Sequence, residues 1–288
     1  MREFSAILLA IGMGLLTQEQ KVEPTWLYRD LHVLPERQID LSSESCHYTP
    51  IFGEGDVQSK VPKSVVRFGE LTVAPHGNCQ KVEYPREEEL YFVLGGNGIL
   101  HYGEQSQSLA QNDFTYVPPT VRHSVSNPSS QPLQLVITTV RIPQEVPLSP
   151  PPELAVANLA ELKEKTVAGH PNSVLYKLLI GPRTAGRDRI NATYAVADFF
   201  LMDFAPAGTN FPHHHEVAEE IYLVLDGEGQ MAAGGGTDGV EGLHYAKAGD
   251  AYYFRPNCTV GFYNQKASST KAHILAVRVF VPMPKNPD

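Results

Sequence analysis

Residues 206–229 read PAGTNFPHHHEVAEEIYLVLDGEG, and the reading of this stretch decides the fold. His213 and His215 stand two residues apart, and the two-residue period of an extended strand aims both rings at one face. Glu220 opens the run Ile221-Tyr222-Leu223-Val224-Leu225, which has strand composition and ends in Asp226-Gly227, a turn signal. Two imidazoles and a carboxylate converging from neighbouring strands form the donor set of a divalent metal that keeps positions open for water or substrate. His214 alternates to the opposite face and reads as a surface residue or a support for its neighbours.

The stretch has an echo in the first half of the chain. Setting Glu89 on Glu220, an offset of 131 residues, brings Pro75 onto Pro206, Gly77 onto Gly208, Tyr91 onto Tyr222 and Gly96 onto Gly227 without a gap. Further on, Asn112–Pro119 falls on Gly249–Pro256 at an offset of 137, with Asn127 on Asn264 and Arg141 on Arg278. The extra residues fit the glycine-rich insert Ala232–Gly242, read as a hairpin tip. One fold therefore occurs twice.

From Val65 the texture is of short apolar or alternating runs, among them Leu90–Leu94, Phe114–Val117, His123–Ser126 and Leu133–Ile142, separated by turn clusters such as Gly95–Gly98. Strands at that spacing predict a sandwich or barrel. Residues 24 to 64 read as an irregular lead-in. Pro143–Pro152 carries five prolines in ten residues and reads as a linker, because proline cannot continue a central strand. Leu154, Leu159 and Leu162 then predict a helix over Glu153–Lys165.

Gly208, the HxH pair, Glu220 and Gly227 at these spacings resemble the first motif of the cupin superfamily, and Asp113–Asn127, DFTYVPPTVRHSVSN, resembles its second. The resemblance covers residues 65–142 and 190–281. It implies an all-β bicupin: two tandem jelly-roll barrels of the double-stranded β-helix type, over 24–142 and 166–288, joined by a Pro-rich linker and a short helix at 143–165. It also implies ligands residue by residue. His213, His215 and Glu220 are intact, while Val260 stands where the second-motif histidine would be. In the first half the lesion is opposite: Val82 and Tyr84 replace the two first-motif histidines, and Glu89 and His123 remain. Those two are weaker candidates, whose alternative is a buried carboxylate satisfied by an imidazole or by an arginine such as Arg86 or Arg122. His273, on the last strand, is another weaker candidate for the missing ligand, its alternative being a core or surface histidine. The metal would be Mn, Fe, Ni or Zn.

Bicupins include isomerases, dioxygenases, decarboxylases, aminohydrolases of ureide breakdown and catalytically silent storage proteins. The resemblance thus points to metal-dependent chemistry of dioxygenase or isomerase type on a small polar organic molecule, with a non-catalytic sugar- or metabolite-binding cupin as the alternative. Glu219, Tyr194, Tyr222 and Tyr252 are the other candidate acids and bases within the C-terminal half.

A net charge of -9 argues against a nucleic-acid partner, since phosphate contact needs clustered Lys and Arg. The expected partners are a small-molecule ligand and a second copy in a homodimer. Gly234–Gly239 satisfies the letter of GxGxxG but runs from strand to strand, with no helix to present a phosphate. Cys46, Cys79 and Cys258 form no CxxC pair and allow at most one bridge. At the N-terminus, Arg2 precedes the apolar run Phe4–Leu16, too short for a membrane span and suited to a secretory signal over residues 1–20. The expectation is a secreted or periplasmic protein; the alternative is an N-terminal arm packed on a barrel or a partner.

Overall fold

The computed structural model describes residues 24–149, 153–235, 241–265 and 269–282. The candidate signal at 1–20 and the hairpin tip at 236–240 lie outside the described residues. The strands are β1 (Trp26–Asp30), β2 (Cys46–Gly53), β3 (Val65–Val73), β4 (Glu87–Gly95), β5 (Asn97–Tyr102), β6 (Gln105–Ala110), β7 (Asp113–Val117), β8 (His123–Ser126), β9 (Leu133–Arg141) and β10 (Val156–Asn158). The second half continues with β11 (Val174–Pro182), β12 (Ile190–Thr193), β13 (Val196–Phe204), β14 (Ala218–Asp226), β15 (Glu228–Gly234), β16 (Glu241–Lys247), β17 (Asp250–Phe254), β18 (Thr259–Asn264) and β19 (Ala272–Phe280). No helix among the described residues is long and apolar enough to cross a membrane.

Two jelly-roll barrels result, each a large sheet folded against a small one. In the N-terminal barrel the order β10-β7-β4-β9-β3-β2 faces β6-β5-β8; in the C-terminal barrel β1-β17-β14-β19-β13-β11-β12 faces β16-β15-β18. Strand alternation sorts the side chains. On β4, Tyr91 and Val93 fill the first lumen while Leu90 and Phe92 point the other way; on β14, Tyr222 and Val224 fill the second lumen while Ile221 and Leu223 point away from it. Those outward faces meet in a third core, where Leu90, Phe92, Phe68 and Val136 pack with Ile221, Leu223, Leu275 and Val277. Glu89 and Glu220, in phase with the inward set, are thereby held inside their barrels.

The turn after each of these strands explains one matched pair of glycines. Gly96 and Gly227 have φ of 79° and 81°, and a Cβ at either would lie 2.2 Å from the Pro132 carbonyl oxygen or 2.7 Å from Ala272 Cα. Only glycine meets both demands.

The repeat is longer than the alternating runs reveal. β1 precedes the first barrel yet pairs with β17 of the second, and β10 precedes the second barrel yet pairs with β7 of the first. Each arm ends in the same way: the Leu31 amide donates to the Gly249 carbonyl and the Leu159 amide to the Asn112 carbonyl, both at the head of a short 3-10 turn. Leu27 and Ala157, on the two arms, enter the shared core. The lead-in is therefore structured, and the helix expected over Glu153–Lys165 does not form. Its place is taken by β10 and a 3-10 turn at Leu159–Glu161. The open edge of β7 supplies backbone partners for Val156–Asn158, and tertiary pairing outweighs a local pattern of three leucines.

Glu88 and Glu219, one residue before the inward carboxylates, fasten the barrels to each other. Glu219 accepts the amides of Lys63, Ser64 and Val65 at 3.0, 2.8 and 2.8 Å and the Tyr253 hydroxyl at 2.7 Å. Glu88 accepts the amides of Tyr194, Ala195 and Val196 at 2.8, 2.8 and 3.0 Å and the Tyr116 hydroxyl at 3.0 Å. Glu219 is thus an inter-barrel clamp, not an acid or base in the lumen. Cys46 and Cys79 form one disulfide, and Cys258 is a buried free thiol.

Candidate metal centre

In the C-terminal lumen the donor atoms of His213, His215 and Glu220 all lie within 4.8 Å of one another, close enough that a single metal ion could be held by all three. Glu220 comes from β14; the two histidines come from the segment before it, which an antiparallel bridge between His213 and Val260 fixes to β18. The His213 and His215 rings stand edge to face, with centroids 4.9 Å apart and planes at 82°. His213 Nδ1 donates to the Phe211 carbonyl at 2.8 Å, because a carbonyl only accepts, so Nε2 carries the lone pair. Burial pushes the His213 pKa down and favours the neutral form that a ligand needs.

The fit to a cation rests on Glu220. This carboxylate is buried, and its Oε2 has no hydrogen-bond partner although His215 Nε2 lies 3.2 Å away, a contact without hydrogen-bond alignment. An unpartnered buried carboxylate oxygen facing two imidazoles is costly without a cation. The Tyr176 hydroxyl, on the same cavity, is likewise buried and unpartnered. The cavity holds about 50 Å³. At roughly 10–15 Å³ of such space per water, that is room for an ion together with a ligand of a few atoms.

Charge surrounds the triad. Arg278 on β19 donates to His215 Nδ1 at 3.3 Å, so His215 Nε2 carries the ring proton here, and ligation through Nε2 would shift that proton to Nδ1 and end this bond; Arg278 also pairs with Asp198 on β13, and Asp198 with Arg187. Arg187 also pairs with the buried Asp188 at 3.1 Å, so the two arginines are matched by Asp198 and Asp188, and the Glu220 carboxylate is left to meet a cation. Burial, then the Glu220 charge, pushes the Tyr176 phenol up, and Tyr222, whose hydroxyl accepts from Asn210 Nδ2 at 3.0 Å, is raised by the same two causes. Neither phenol is poised to ionise.

The other sequence candidates go elsewhere. Glu89 and His123 meet in the N-terminal lumen as a buried pair, Oε2 to Nε2 2.6 Å, with Thr139 and Tyr91 hydroxyls donating to the same carboxylate at 2.7 and 3.1 Å. That carboxylate is satisfied, and Tyr84 stands where a second imidazole would be, its hydroxyl bonded to Arg67 and Asp40. Arg86 serves neither; it donates to the carbonyls of Pro143 and Val146. His273 is on the wrong face of β19: its neighbours Ala272, Ile274 and Ala276 enter the lumen, while it lies 3.6 Å from Asp226 and 3.7 Å from Asp203 outside. His214 is exposed, as alternation requires. Tyr252 donates to the Tyr245 carbonyl and Tyr194 to that of Ser149, both away from the triad.

Arg278, Asp198, Tyr176 and His170 belong to the cavity and were not among the sequence candidates. Arg278 was hidden by a misplaced equivalence: Glu89 pairs with Thr139 and Glu220 with Arg278, so Arg141 corresponds to Phe280. The loop before β19 is two residues longer than its counterpart, which the repeat in the sequence does not show. Asp198 was hidden because its counterpart, Arg67, has the opposite charge.

The comparisons with known proteins agree with this architecture. The cupin domain matches the chain over residues 69–139 and 200–278. Mannose-1-phosphate guanylyltransferase RfbM of Salmonella typhimurium is 30% identical over 66 residues, which are 23% of this chain and only 14% of that protein. The E. coli protein Ylba superposes with a TM-score of 0.67 at 17% identity, covering 91% of this chain and 93% of its own. The oxalate decarboxylase of Lactobacillus farciminis, in its formate complex, superposes with a TM-score of 0.63 at 10% identity, covering 90% and 87%. At those identities the two structures speak for the fold alone. With both halves matched and both barrels built on one plan, the chain belongs to the cupin family and is a bicupin.

Proposed function

We propose that the C-terminal barrel binds a divalent metal (Mn, Fe, Ni or Zn) through His213, His215 and Glu220 and acts on a small organic anion, in a reaction of dioxygenase or isomerase type. The observation that carries this reading is the unpartnered Glu220 Oε2 facing two imidazoles beside Arg278. A bound divalent ion would act as a Lewis acid toward the ligand and hold it at the open positions. The chain's own groups divide the remaining work. Tyr176, Phe200 and Tyr222 line the cavity with aromatic surface against which the apolar part of a ligand can lie. Arg278, steered by Asp198, offers a guanidinium to an anionic group near His215.

A non-catalytic sugar- or metabolite-binding role is the second reading. It is favoured by a cleft of about 730 Å³ between the barrels, lined by His32, Lys177, Asp226 and His273 among others, which is far roomier than the lumen. Export forms part of the proposal, because the Cys46–Cys79 bond fits an oxidising compartment. So does assembly as a homodimer.

Elemental analysis of the purified protein beside His215→Ala tests the metal reading. Near-stoichiometric metal that disappears in the variant is expected, and metal that survives would overturn it. Titration calorimetry of both proteins with a panel of small mono- and dicarboxylates then separates a lumen ligand from one in the inter-barrel cleft, since only the former depends on His215.

A further inference from the structure

His170 has no place in either motif. It follows Gly169, whose φ is 87°, on the segment leading into β11, and it reaches the triad from a direction the motifs do not use. Its Nδ1 donates to the Asn210 carbonyl at 2.8 Å, as His213 Nδ1 donates to the Phe211 carbonyl at 2.8 Å. An imidazole tied to a backbone carbonyl in this way presents Nε2 as the lone-pair donor, the usual state of a metal-ligating histidine.

The carbonyl that orients the ring belongs to a residue fixed by its own bonds. Asn210 is buried, its Nδ2 donating to Tyr222 and its Oδ1 accepting the Phe262 amide at 2.8 Å. The ring relation is equally specific. The His170 and His213 centroids are 5.0 Å apart with planes at 72°, close to the 4.9 Å and 82° between the two motif histidines. Meanwhile the second-motif position is filled by Val260, which is buried, faces the lumen and is bridged to His213. The barrel thus lacks one imidazole where the motif would put it and carries another on the cavity wall.

Resting on the metal reading above, we infer that His170 supplies a fourth protein ligand in place of the motif histidine that Val260 replaces. His170 stands outside the set of donor atoms within 4.8 Å of one another, so binding draws it inward. The space beside Gly169 is open, so nothing packed against that residue opposes the shift. The arrangement makes ligation depend on the segment that leads into β11, which the triad alone does not.

The test is to load the parent, His170→Ala and His170→Gln with Mn(II), count coordinated imidazole nitrogens by pulsed electron paramagnetic resonance, and measure affinity by chelator competition. Three imidazoles in the parent and two in both variants are expected, with affinity lower by about tenfold or more. Two imidazoles in the parent, or affinity within about twofold in both variants, overturns the inference while leaving the triad intact. A parent that takes up no divalent ion overturns both readings, whereas a parent that binds the ion with two imidazoles overturns this inference alone. Should His170→Ala prove misfolded by circular dichroism, the His170→Gln count decides alone.

Discussion

Glu89 Oε2 lies 2.6 Å from His123 Nε2, so the N-terminal barrel neutralises internally the carboxylate whose counterpart in the C-terminal barrel, Glu220, keeps an oxygen unpartnered. His123 Nδ1 also faces a carbonyl, that of Val121 at 2.9 Å, and with a carboxylate on the other nitrogen both carry protons. One barrel has turned its residual ligands into an ion pair, and the other has kept a donor set.

A pH dependence follows from that pair. Burial opposes charge on His123, but Glu89 outweighs it and raises the imidazole pKa; burial likewise opposes charge on Glu89, and the His123 charge and hydrogen bond hold that carboxyl below its ordinary range. The histidine contribution is full below its unfolded pKa of about 6.5 and is lost as pH rises through the raised folded value. The Glu89 contribution is present above about 4.3 and is lost as pH falls through the lowered folded value. Urea denaturation from pH 5 to 9 should show the parent losing stability on the alkaline side, while a Glu89→Gln/His123→Gln double variant shows a flatter profile. Glu89→Ala alone should cost about 3–5 kcal/mol, since it strands a buried imidazolium.

The clamps predict matched losses. Glu219→Gln keeps the shape but removes the charge that three amides and a phenol address, and Glu88→Gln does the same across the interface. Each should lower unfolding free energy by about 1.5–3 kcal/mol. Denaturant melts of the two variants check this; a large loss in one and none in the other would show that the pair does not act reciprocally.

The triad was legible because its information is local: His213, His215 and Glu220 lie within eight residues, at the spacing of the first cupin motif. The duplicated all-β fold was legible for the same reason, through turns that only glycine allows. What stayed hidden is non-local. The arms β1 and β10 are strands only because the distant edges of β17 and β7 receive them. Arg278 reaches the site through a loop-length difference that leaves Arg141 matched to it by letter. The repeat selects Glu220 over Glu219, but the work Glu219 does, accepting amides across the interface, has no signal in the sequence.

The disulfide gives a third prediction. Cys46 and Cys79 close a loop with a sequence separation of 33 and tie β2 to the segment after β3. Cys46→Ser or reduction of the bond should cost about 2–4 kcal/mol, chiefly by releasing the unfolded chain. Scanning calorimetry with and without reductant measures it, and Cys258→Ser, which removes no bond, should leave the reductant effect unchanged.

Val260 supplies the last and sharpest prediction. Its side chain is buried in the C-terminal lumen, and its bridge to His213 reproduces the bridge between His123 and Val82 in the other barrel. Val260→His therefore places an imidazole on the lumen side of β18, next to the triad. The added donor should tighten Mn and Fe binding by about tenfold, ~1.4 kcal/mol, while occupying a position that a ligand would otherwise take. Metal affinity and turnover of an anionic substrate should then move in opposite directions. Because His170 competes for the same coordination position, the gain from Val260→His should be larger in the His170→Ala background than in the parent, a coupling that a double-mutant cycle reads directly. Chelator competition on the four proteins measures it. Equal gains in both backgrounds would mean that the two imidazoles do not share a position, and no gain in either would place residue 260 out of reach of the metal.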